Sequence, residues 1–301
     1  MLVSVQLYFA MLGIYILLLW AVYLPFRGGQ LYNGPFYCMA IGAYTAAYTT
    51  KFLGYPHGVA ILLALILGTF IGFLTSLAFS RTTGIVTATA SMALIFIVVS
   101  IINNFNLVGA TRGIWGIPKF HALLPTLYAV VIVTGVIIYR IENSRFGRAL
   151  EAMRTDMDLA NSLGVNMPRL STFVMTLASA MGTLAGVFYA FTLQSILPQN
   201  FSFTMVLTVL AMLFIGGRYT MWGVLVSAPI LWAIHILLPP SIVKFTNLFY
   251  GALLVIILVT RPEGIVSREM LQKIEAWVKS WSRKAKPVAA ASQDQKDINL
   301  S

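Results

Sequence analysis

Residues 58–80 read GVAILLALILGTFIGFLTSLAFS, a run without one charged side chain. A helix needs about 20 mainly apolar residues to cross the hydrocarbon core of a bilayer, so this run is long enough to span one. Eight further apolar segments flank it, at 4–26, 34–50, 83–102, 121–139, 170–192, 202–217, 221–238 and 245–260. The pattern predicts an all-α fold, a polytopic transmembrane helical bundle of about nine spans, within a range of eight to ten.

The composition agrees with a membrane protein. Of the 301 residues, 59% are hydrophobic and 10% are charged, whereas soluble domains carry about 25% charged residues. The lone cysteine, Cys38, lies inside an apolar segment and is typical of a small packing residue, so we expect no intrachain disulfide and no metal site. The net charge of +11 suits membrane lipids with anionic headgroups better than nucleic acid.

Acidic residues are absent from two long parts of the chain, 1–141 and 159–262. A carrier driven by protons or sodium usually keeps a carboxylate at membrane depth, because an ionisable group there is costly and is retained for a function. We therefore expect the energy for transport to come from another polypeptide. The chain has no GxxxxGK[ST] phosphate-binding loop, so it is not itself predicted to hydrolyse ATP. We expect a transport subunit that is not an enzyme and has no cofactor of its own.

Lysine and arginine concentrate in the cytoplasmic loops of membrane proteins. With nine spans and the N-terminus outside, the 20 lysines and arginines fall on the cytoplasmic side except for Lys51, Arg112, Lys119 and Lys244. An odd number of spans and a cytoplasmic C-terminus are therefore predicted. Segment 34–50 leaves an alternative open, since Gly34 and Pro35 open it and Gly42 interrupts it, which would suit a broken or re-entrant helix.

The charged stretch 144–166 reads SRFGRALEAMRTDMDLANSLGVN and predicts one amphipathic helix over about 145–164 on the cytoplasmic face. The helix is expected to stop at Gly164, where glycine suits a left-handed cap. A helix in the lipid interface shares this pattern, but the mixture of acids and arginines on its polar face fits a protein cleft better. The predicted apolar stripe is Phe146, Leu150, Met153, Met157 and Ala160; the predicted polar face is Arg148, Glu151, Thr155, Asp158 and Ser162.

Several stretches of the sequence carry a family pattern. They read GGQLYNGPFYCMAIGAYTAAY (28–48), SRFGRALEAMR with ANSLGVN (144–166), FVMTLASAMGTLAGVFYA (173–190), MLFIGGRYTMWG (212–223) and RPEGIV (261–266). Together they resemble the permease subunits of bacterial ABC importers for branched-chain amino acids, and most of all the longer, M-type permease of the pair. The resemblance covers most of the chain, and residues 1–264 would form the transmembrane permease domain.

The resemblance implies that the chain is one subunit of a multi-subunit transporter in a bacterial inner membrane. With a second permease subunit, the chain would form the translocation path for branched-chain, hydrophobic amino acids. Two ATP-binding subunits would drive transport from below, and a periplasmic or extracellular solute-binding protein would deliver the solute. The helix at 145–164 would then be the coupling helix, and coupling to the ATPase is carried over to Arg148, Glu151, Arg154, Asp156 and Gly164.

Candidate pathway residues lie near the second segment. Tyr32 and Asn33 stand where relatives commonly have Ser-Leu, and transporters often expose backbone groups to a ligand at Gly- and Pro-rich discontinuous helices. The alternative for both residues is a role in helix packing. Thr87 and Ser91 belong to a small-residue stripe that either packs helices closely or lines the pore. These departures leave the solute open, so an ABC permease for urea, amides or aromatic acids is an alternative.

The longest outside loop contains TRGIWGIP at 111–118. By the resemblance it faces the solute-binding protein, and Arg112 and Lys119 would meet acidic residues of that partner. The other interpretation is a solvated loop with an interfacial Trp115.

Residues 265–286 predict an amphipathic helix on an anionic cytoplasmic membrane surface, and residues 287–301 predict a disordered tail.

Two other function classes are alternatives to the ABC permease. A passive channel for a small neutral solute also needs no intramembrane acid, yet it has no use for the cytoplasmic helix. A membrane enzyme would need His, Asp or Glu clustered at one membrane face, and the sequence shows no such cluster.

Overall fold

In the computed structural model, residues 2–82, 84–162, 164–217 and 220–237 are described, together with 251 and 256. Helices make up most of this part of the chain. They are α1 (Leu2–Arg27), α2 (Gly34–Lys51), α3 (His57–Phe79), α4 (Gly84–Asn104), α5 (Leu123–Glu142), α6 (Arg145–Thr155), α7 (Met157–Ser162), α8 (Met167–Leu193), α9 (Phe203–Gly216) and α10 (Met221–Leu237). Apart from residues 251 and 256, the predicted ninth segment, the surface helix at 265–286 and the tail at 287–301 lie outside the described residues.

The long helices follow the predicted apolar segments to within a few residues at each end. Within the described part of the chain, five helices are long and apolar enough to cross a membrane, namely α1, α3, α4, α5 and α8. The bent pair α9 and α10 makes a sixth if the two are counted as one span. A helical, multi-pass membrane bundle is therefore confirmed.

The second predicted segment forms one continuous helix, α2, and Gly42 does not interrupt it. α2 packs against α8, α3, α4 and α1, and most of its residues are buried. Gly42 permits this packing, because a Cβ there would lie 2.4 Å from the carbonyl oxygen of Thr183 in α8. A helix covered by protein on all sides needs no apolar stripe toward lipid, which explains the tyrosines and threonines in α2.

α3 packs against α8 through small residues on one face. A Cβ on Gly72 would lie 2.2 Å from the Cβ of Ser179 in α8, so the two backbones approach closely. Close approach of this kind supplies van der Waals contact, which drives helix association in lipid. The buried residues of α3 recur at every fourth position and are Ala60, Ala64, Gly68, Gly72 and Ser76.

The outward faces of α3, α4 and α5 are apolar. Ile66, Ile85 and Ile132 are exposed by 66%, 79% and 65% in the single chain. Apolar side chains exposed on three neighbouring spans are typical of faces that meet lipid or another subunit.

The two ends of the bundle differ. At one end, which we call the α6 end, α1 and α5 finish and α6 to α8 begin. At the other, the ribbon end, β1 (Ile114–Trp115) pairs antiparallel with β2 (Ser195–Ile196). The ribbon joins the loop after α4 to the end of α8.

Candidate functional site

α6 is fixed to the ends of the long helices. It begins after Ser144, whose hydroxyl accepts a hydrogen bond from the backbone N–H of Phe146 at 3.1 Å and so caps the helix. Its inner face is buried in an apolar cluster separate from the main core, which joins α6 to α1 and α8. The buried members of this cluster are Leu24, Leu150, Met153, Leu170 and Val174.

The predicted apolar stripe is confirmed at Leu150, Met153 and Ala160, which are buried. It is wrong at Phe146, which is 55% exposed. The Phe146 ring instead stacks on Phe173 of α8, with 5.8 Å between ring centroids. The side chain of Met157 lies outside the described part of the structure.

The prediction of one continuous helix over 145–164 is corrected by the structure. The chain is extended at Asp156, with φ −154° and ψ 114°, and this residue separates α6 from α7. Its N–H donates to the carbonyl of Ala152 at 3.0 Å, and its own carbonyl accepts from the N–H of Ala160 at 3.1 Å. Aspartate is a poor interior helix residue and a good N-cap, which explains why the helix divides here.

The charged residues predicted for coupling lie around α6 and α7. Arg148 and Asp156 are exposed. Glu151 and Arg154 approach to 4.0 Å on the half-exposed side of α6, and an ion pair in that setting stabilises little. Gly164 has φ +80°, so the predicted left-handed conformation is confirmed.

Beside α6 lies a polar contact that the sequence reasoning missed. Arg27, the last residue of α1, pairs with Glu142, the last residue of α5, and the Tyr23 hydroxyl donates to the same carboxylate. Arg27 Nη1 also donates to the Tyr23 oxygen at 3.0 Å. The only available signal was that Arg27 is the first basic residue of the chain and Glu142 the first acid.

The turn between α1 and α2 also touches α6. A Cβ on Gly28 would lie 2.7 Å from the Met153 Cε atom. Gly29 has φ +77°, and a Cβ there would lie 3.3 Å from the Arg154 Cα atom. A positive φ together with this close approach to the α6 backbone favours glycine at position 29, and the turn and α6 are in direct contact.

Tyr32, a predicted pathway residue, joins three helices through hydroxyl groups in the bundle interior. Its oxygen lies 2.7 Å from that of Tyr37 in α2 and 3.0 Å from the Ser179 hydroxyl in α8. The Tyr37 oxygen lies 2.6 Å from the Thr75 hydroxyl in α3. We call Tyr32, Tyr37, Thr75 and Ser179 the hydroxyl cluster.

The other predicted pathway residues meet where α4 packs against the α1–α2 connection. The Asn33 N–H donates to the Ser91 hydroxyl at 3.1 Å, and the Asn33 side-chain amide donates to the Ala88 carbonyl at 3.3 Å. The Thr87 hydroxyl lies 2.7 Å from that of Thr82. Asn33, Thr87 and Ser91 are buried, so in the single chain the stripe on α4 acts as a packing surface.

At the ribbon end, Arg112 and Lys119 are exposed on a loop held by backbone contacts. The Trp115 indole N–H donates to the Arg112 carbonyl at 2.7 Å, and Lys51 donates to the Trp115 carbonyl. Lys119 also borders a cleft of about 650 Å³ between α1, α5 and α8. The structure does not bring Arg112 or Lys119 near the residues of the α6 end.

In the described part of the chain, the acids lie at the α6 end, whereas His57 and His121 lie at the ribbon end. Among those residues, no three His, Cys, Asp or Glu side chains come together as metal ligands. Glu142 is engaged with Arg27, and His57 lies at the ribbon end, 3.2 Å from the Pro118 carbonyl.

A family model described as branched-chain amino acid transport system / permease component matches residues 6–258. The chain belongs to this permease family. The match runs from α1 through α10 and beyond, so it includes the α6 end, the hydroxyl cluster and the ribbon. The family membership expected from the sequence patterns is therefore confirmed for the permease.

Individual relatives agree with this assignment. The permease is similar to the high-affinity branched-chain amino acid transport system permease protein LivM of Escherichia coli strain K12 and of Salmonella typhimurium strain LT2, each 26% identical over 272 residues. These matches cover 77% of the permease but 62% of each relative. A probable branched-chain amino acid transport permease protein LivM of Methanocaldococcus jannaschii is 25% identical over 236 residues, 69% of the permease and 67% of the relative.

Similarity to a second kind of permease is shorter. LivH of Salmonella typhimurium strain LT2, a high-affinity branched-chain amino acid transport system permease protein, is 25% identical over 181 residues, 58% of the permease and 56% of the relative. The likeness to LivM thus extends over more of the permease than the likeness to LivH. No solved structure matches the chain.

Proposed function

We propose that the permease is a transmembrane subunit of an ABC importer and forms, with a second permease subunit, the path for branched-chain, hydrophobic amino acids. Two ATP-binding subunits supply the energy, and a solute-binding protein outside the membrane delivers the solute. One observation carries the proposal. α6 follows α5 directly and is packed on α1 and α8, so that a force on α6 reaches three long helices at once.

The mechanical role of α6 rests on its two faces. Its inner face is buried through Leu150 and Met153, while Arg148 points away from the bundle and is exposed. Rigid-body motion of a docked subunit reaches the membrane helices only if α6 cannot move independently of them. The contacts of α6 with Gly28 and Leu24 restrict such independent motion. Docking on the ATP-binding subunit is assigned to Arg148, Glu151, Arg154, Asp156 and Gly164.

We further propose nine spans, with the N-terminus outside and the C-terminus in the cytoplasm of a bacterial inner membrane. The arrangement of charge supports this orientation. Arg27, Arg81 and the arginines of α6 lie at or next to helix ends of the α6 end, as the bias of basic residues toward the cytoplasm requires. The ninth span is assigned to 245–260.

The path is assigned to the neighbourhood of Tyr32, Asn33, Thr87 and Ser91. These residues lie where α4 meets the α1–α2 connection, beside the hydroxyl cluster. The hydroxyl and amide groups there can donate hydrogen bonds to the carboxylate of an amino acid and accept hydrogen bonds from its ammonium group. Neither interaction requires a charged side chain within the membrane. Arg112 and Lys119, exposed at the ribbon end, are assigned to contact with the solute-binding protein.

Reconstitution tests the proposal. Proteoliposomes holding the permease, its second permease and the ATP-binding subunits are expected to accumulate radiolabelled leucine only when ATP and the solute-binding protein are both supplied. The permease alone, given a proton or sodium gradient, is expected to take up none. Gradient-driven uptake by the permease alone would overturn the proposal.

Docking is tested separately by co-purification of the ATP-binding subunit on a tagged permease. Arg148→Glu reverses an exposed charge on α6, and Arg140→Glu makes the same change on an exposed residue in the last turn of α5. We expect Arg148→Glu to reduce recovery of the ATP-binding subunit severalfold and Arg140→Glu to leave it near wild type. Equal recovery with both variants would remove Arg148 from the docking surface.

A further inference from the structure

A groove opens at the α6 end between the end of α3 and the start of α8. It encloses about 770 Å³, and its lining combines the cations of Arg81 and Arg169 with the apolar side chains of Phe73, Leu77 and Phe173. A smaller cleft of about 280 Å³ adjoins it and shares Arg81. None of the functions assigned above uses this groove.

The charged groups of the groove lie at the ends of the helices, and its apolar groups lie deeper along them. Arg81 follows α3 by two residues, and Arg169 is in the first turn of α8, so both lie at the level where these helices leave the membrane. Phe73 lies about 12 Å deeper than Arg81 at 1.5 Å of rise per residue. The groove therefore offers cations at headgroup level and an apolar wall at hydrocarbon level, which is the profile of a phospholipid.

Charge and exposure favour the same occupant. Neither Arg81 nor Arg169 forms an ion pair with a carboxylate of the described chain. Phe73, Leu77 and Phe173 are 42%, 47% and 49% exposed, so the apolar wall is open toward the surroundings of the bundle. Basic pockets between membrane helices on the cytoplasmic side bind anionic lipid headgroups.

We propose that this groove binds one anionic phospholipid of the cytoplasmic leaflet, with its phosphate on Arg81 and Arg169 and an acyl chain along Phe73, Leu77 and Phe173. The Phe173 ring also stacks on Phe146 of α6. The bound lipid thus touches a residue that contacts α6. The inference requires a membrane protein oriented with the α6 end in the cytoplasm, and it is independent of the transported solute.

Lipid binding is measured on the full-length permease in detergent by native mass spectrometry, with phosphatidylglycerol as the probe and phosphatidylcholine as the neutral reference. Arg81→Gln/Arg169→Gln removes both groove cations. Arg140→Gln/Arg145→Gln removes the same charge from two exposed residues of the same end that do not line the groove. Ala78→Trp fills the groove from an exposed lining position and keeps both arginines.

The wild type is expected to retain one phosphatidylglycerol in preference to phosphatidylcholine. Arg81→Gln/Arg169→Gln should weaken that binding about tenfold or more, on the scale of two interfacial arginines. Ala78→Trp should abolish the bound lipid, and Arg140→Gln/Arg145→Gln should bind within about twofold of wild type on the same scale. If the groove arginine variant does not fold, Ala78→Trp decides the question by itself.

Three results would overturn the proposal. Equal weakening by both arginine pairs would indicate diffuse attraction to the basic face. Displacement of the lipid by glycerol 3-phosphate would indicate a site for a soluble anion. Displacement by the second permease subunit would indicate that the groove is a contact between subunits.

Discussion

Arg27 ends α1, Glu142 ends α5, and the two side chains form an ion pair although 115 positions separate them in the sequence. At the other end of the same two helices, the Tyr128 hydroxyl donates to the carbonyl of Phe9 at 3.1 Å. α1 and α5 are therefore fastened by polar contacts at both ends and run parallel. The pair at the α6 end is 13% and 14% exposed, so either charge would be costly without its partner.

Glu142→Gln is expected to destabilise the permease by about 3 kcal/mol, the lower end of the range for breaking a buried ion pair, because the Arg27 guanidinium loses its countercharge and keeps its hydrogen bond to Tyr23. Arg27→Gln/Glu142→Gln removes both charges and should recover part of the loss. Stability is measured by the thermal onset of Cys38 labelling with a thiol-reactive dye, since this residue is the lone cysteine and is buried. Arg140→Gln, a change of an exposed residue two positions before Glu142, is the control, and an equal loss in it would contradict the interpretation.

Gly186→Ala is expected to separate α2 from α8. A Cβ at Gly186 would lie 1.9 Å from the Met39 carbonyl oxygen, and neither backbone can yield without moving a whole helix. Gly58→Ala introduces the same methyl group where nothing lies within 4 Å. The Cys38 labelling assay should show a lower onset temperature for Gly186→Ala alone, and matching onsets for the two variants would argue against close backbone packing.

Gly164→Pro is expected to uncouple ATP hydrolysis from uptake while leaving the protein in the membrane. Proline requires φ near −65°, whereas Gly164 has φ +80°, so the connection from α7 to α8 must change direction. Asparagine tolerates the left-handed region, and Gly164→Asn is therefore the matched control. Leucine uptake per ATP hydrolysed in the reconstituted importer should fall at least severalfold in the first variant only. Unchanged coupling in Gly164→Pro would remove this turn from the mechanism.

Tyr32→Phe deletes the hydroxyl that links Tyr37 to Ser179, and the loss of a buried hydrogen bond costs about 1 kcal/mol. Tyr44→Phe is a suitable control, because the Tyr44 hydroxyl is buried and has no hydrogen-bond partner in the described part of the chain. Thermal labelling of Cys38 should show a loss of stability for Tyr32→Phe and none for Tyr44→Phe. Leucine uptake should show a raised KM for Tyr32→Phe, and an unaltered KM would exclude its hydroxyl from solute binding.

Hydropathy predicted the long helices well, because an apolar run of sufficient length has few stable alternatives in lipid. It gave no means of pairing Arg27 with Glu142, since charge positions along a sequence carry no information about which helix ends meet. The role of Gly42 stayed open in the sequence for a related reason. Glycine marks either a break or a close approach, and only the position of Thr183 opposite it decides between them.

The α6 region shows the same limit at short range. Helical spacing identified Leu150 and Met153 as buried, because both face the bundle in any helix over this stretch. The division at Asp156 was missed, since periodicity continues across it and a single residue of different φ and ψ leaves the spacing of apolar residues almost intact. Phe146 was assigned to the buried side because it has the same helical spacing as Leu150 and Met153, and spacing does not show where the packed face of a helix ends.

The glycine contacts of α2 and α8 have a mechanical consequence. Gly182 and Gly186 set the α8 backbone against the carbonyls of Pro35 and Met39, with no intervening side chain that can change rotamer. We expect two helices in such contact to move as one rigid body, because sliding would bring the backbone atoms of α2 and α8 into steric clash. α4 is buried over a much smaller share of its length than α8, so we expect any relative movement of helices in this bundle to occur along α4 rather than between α2 and α8.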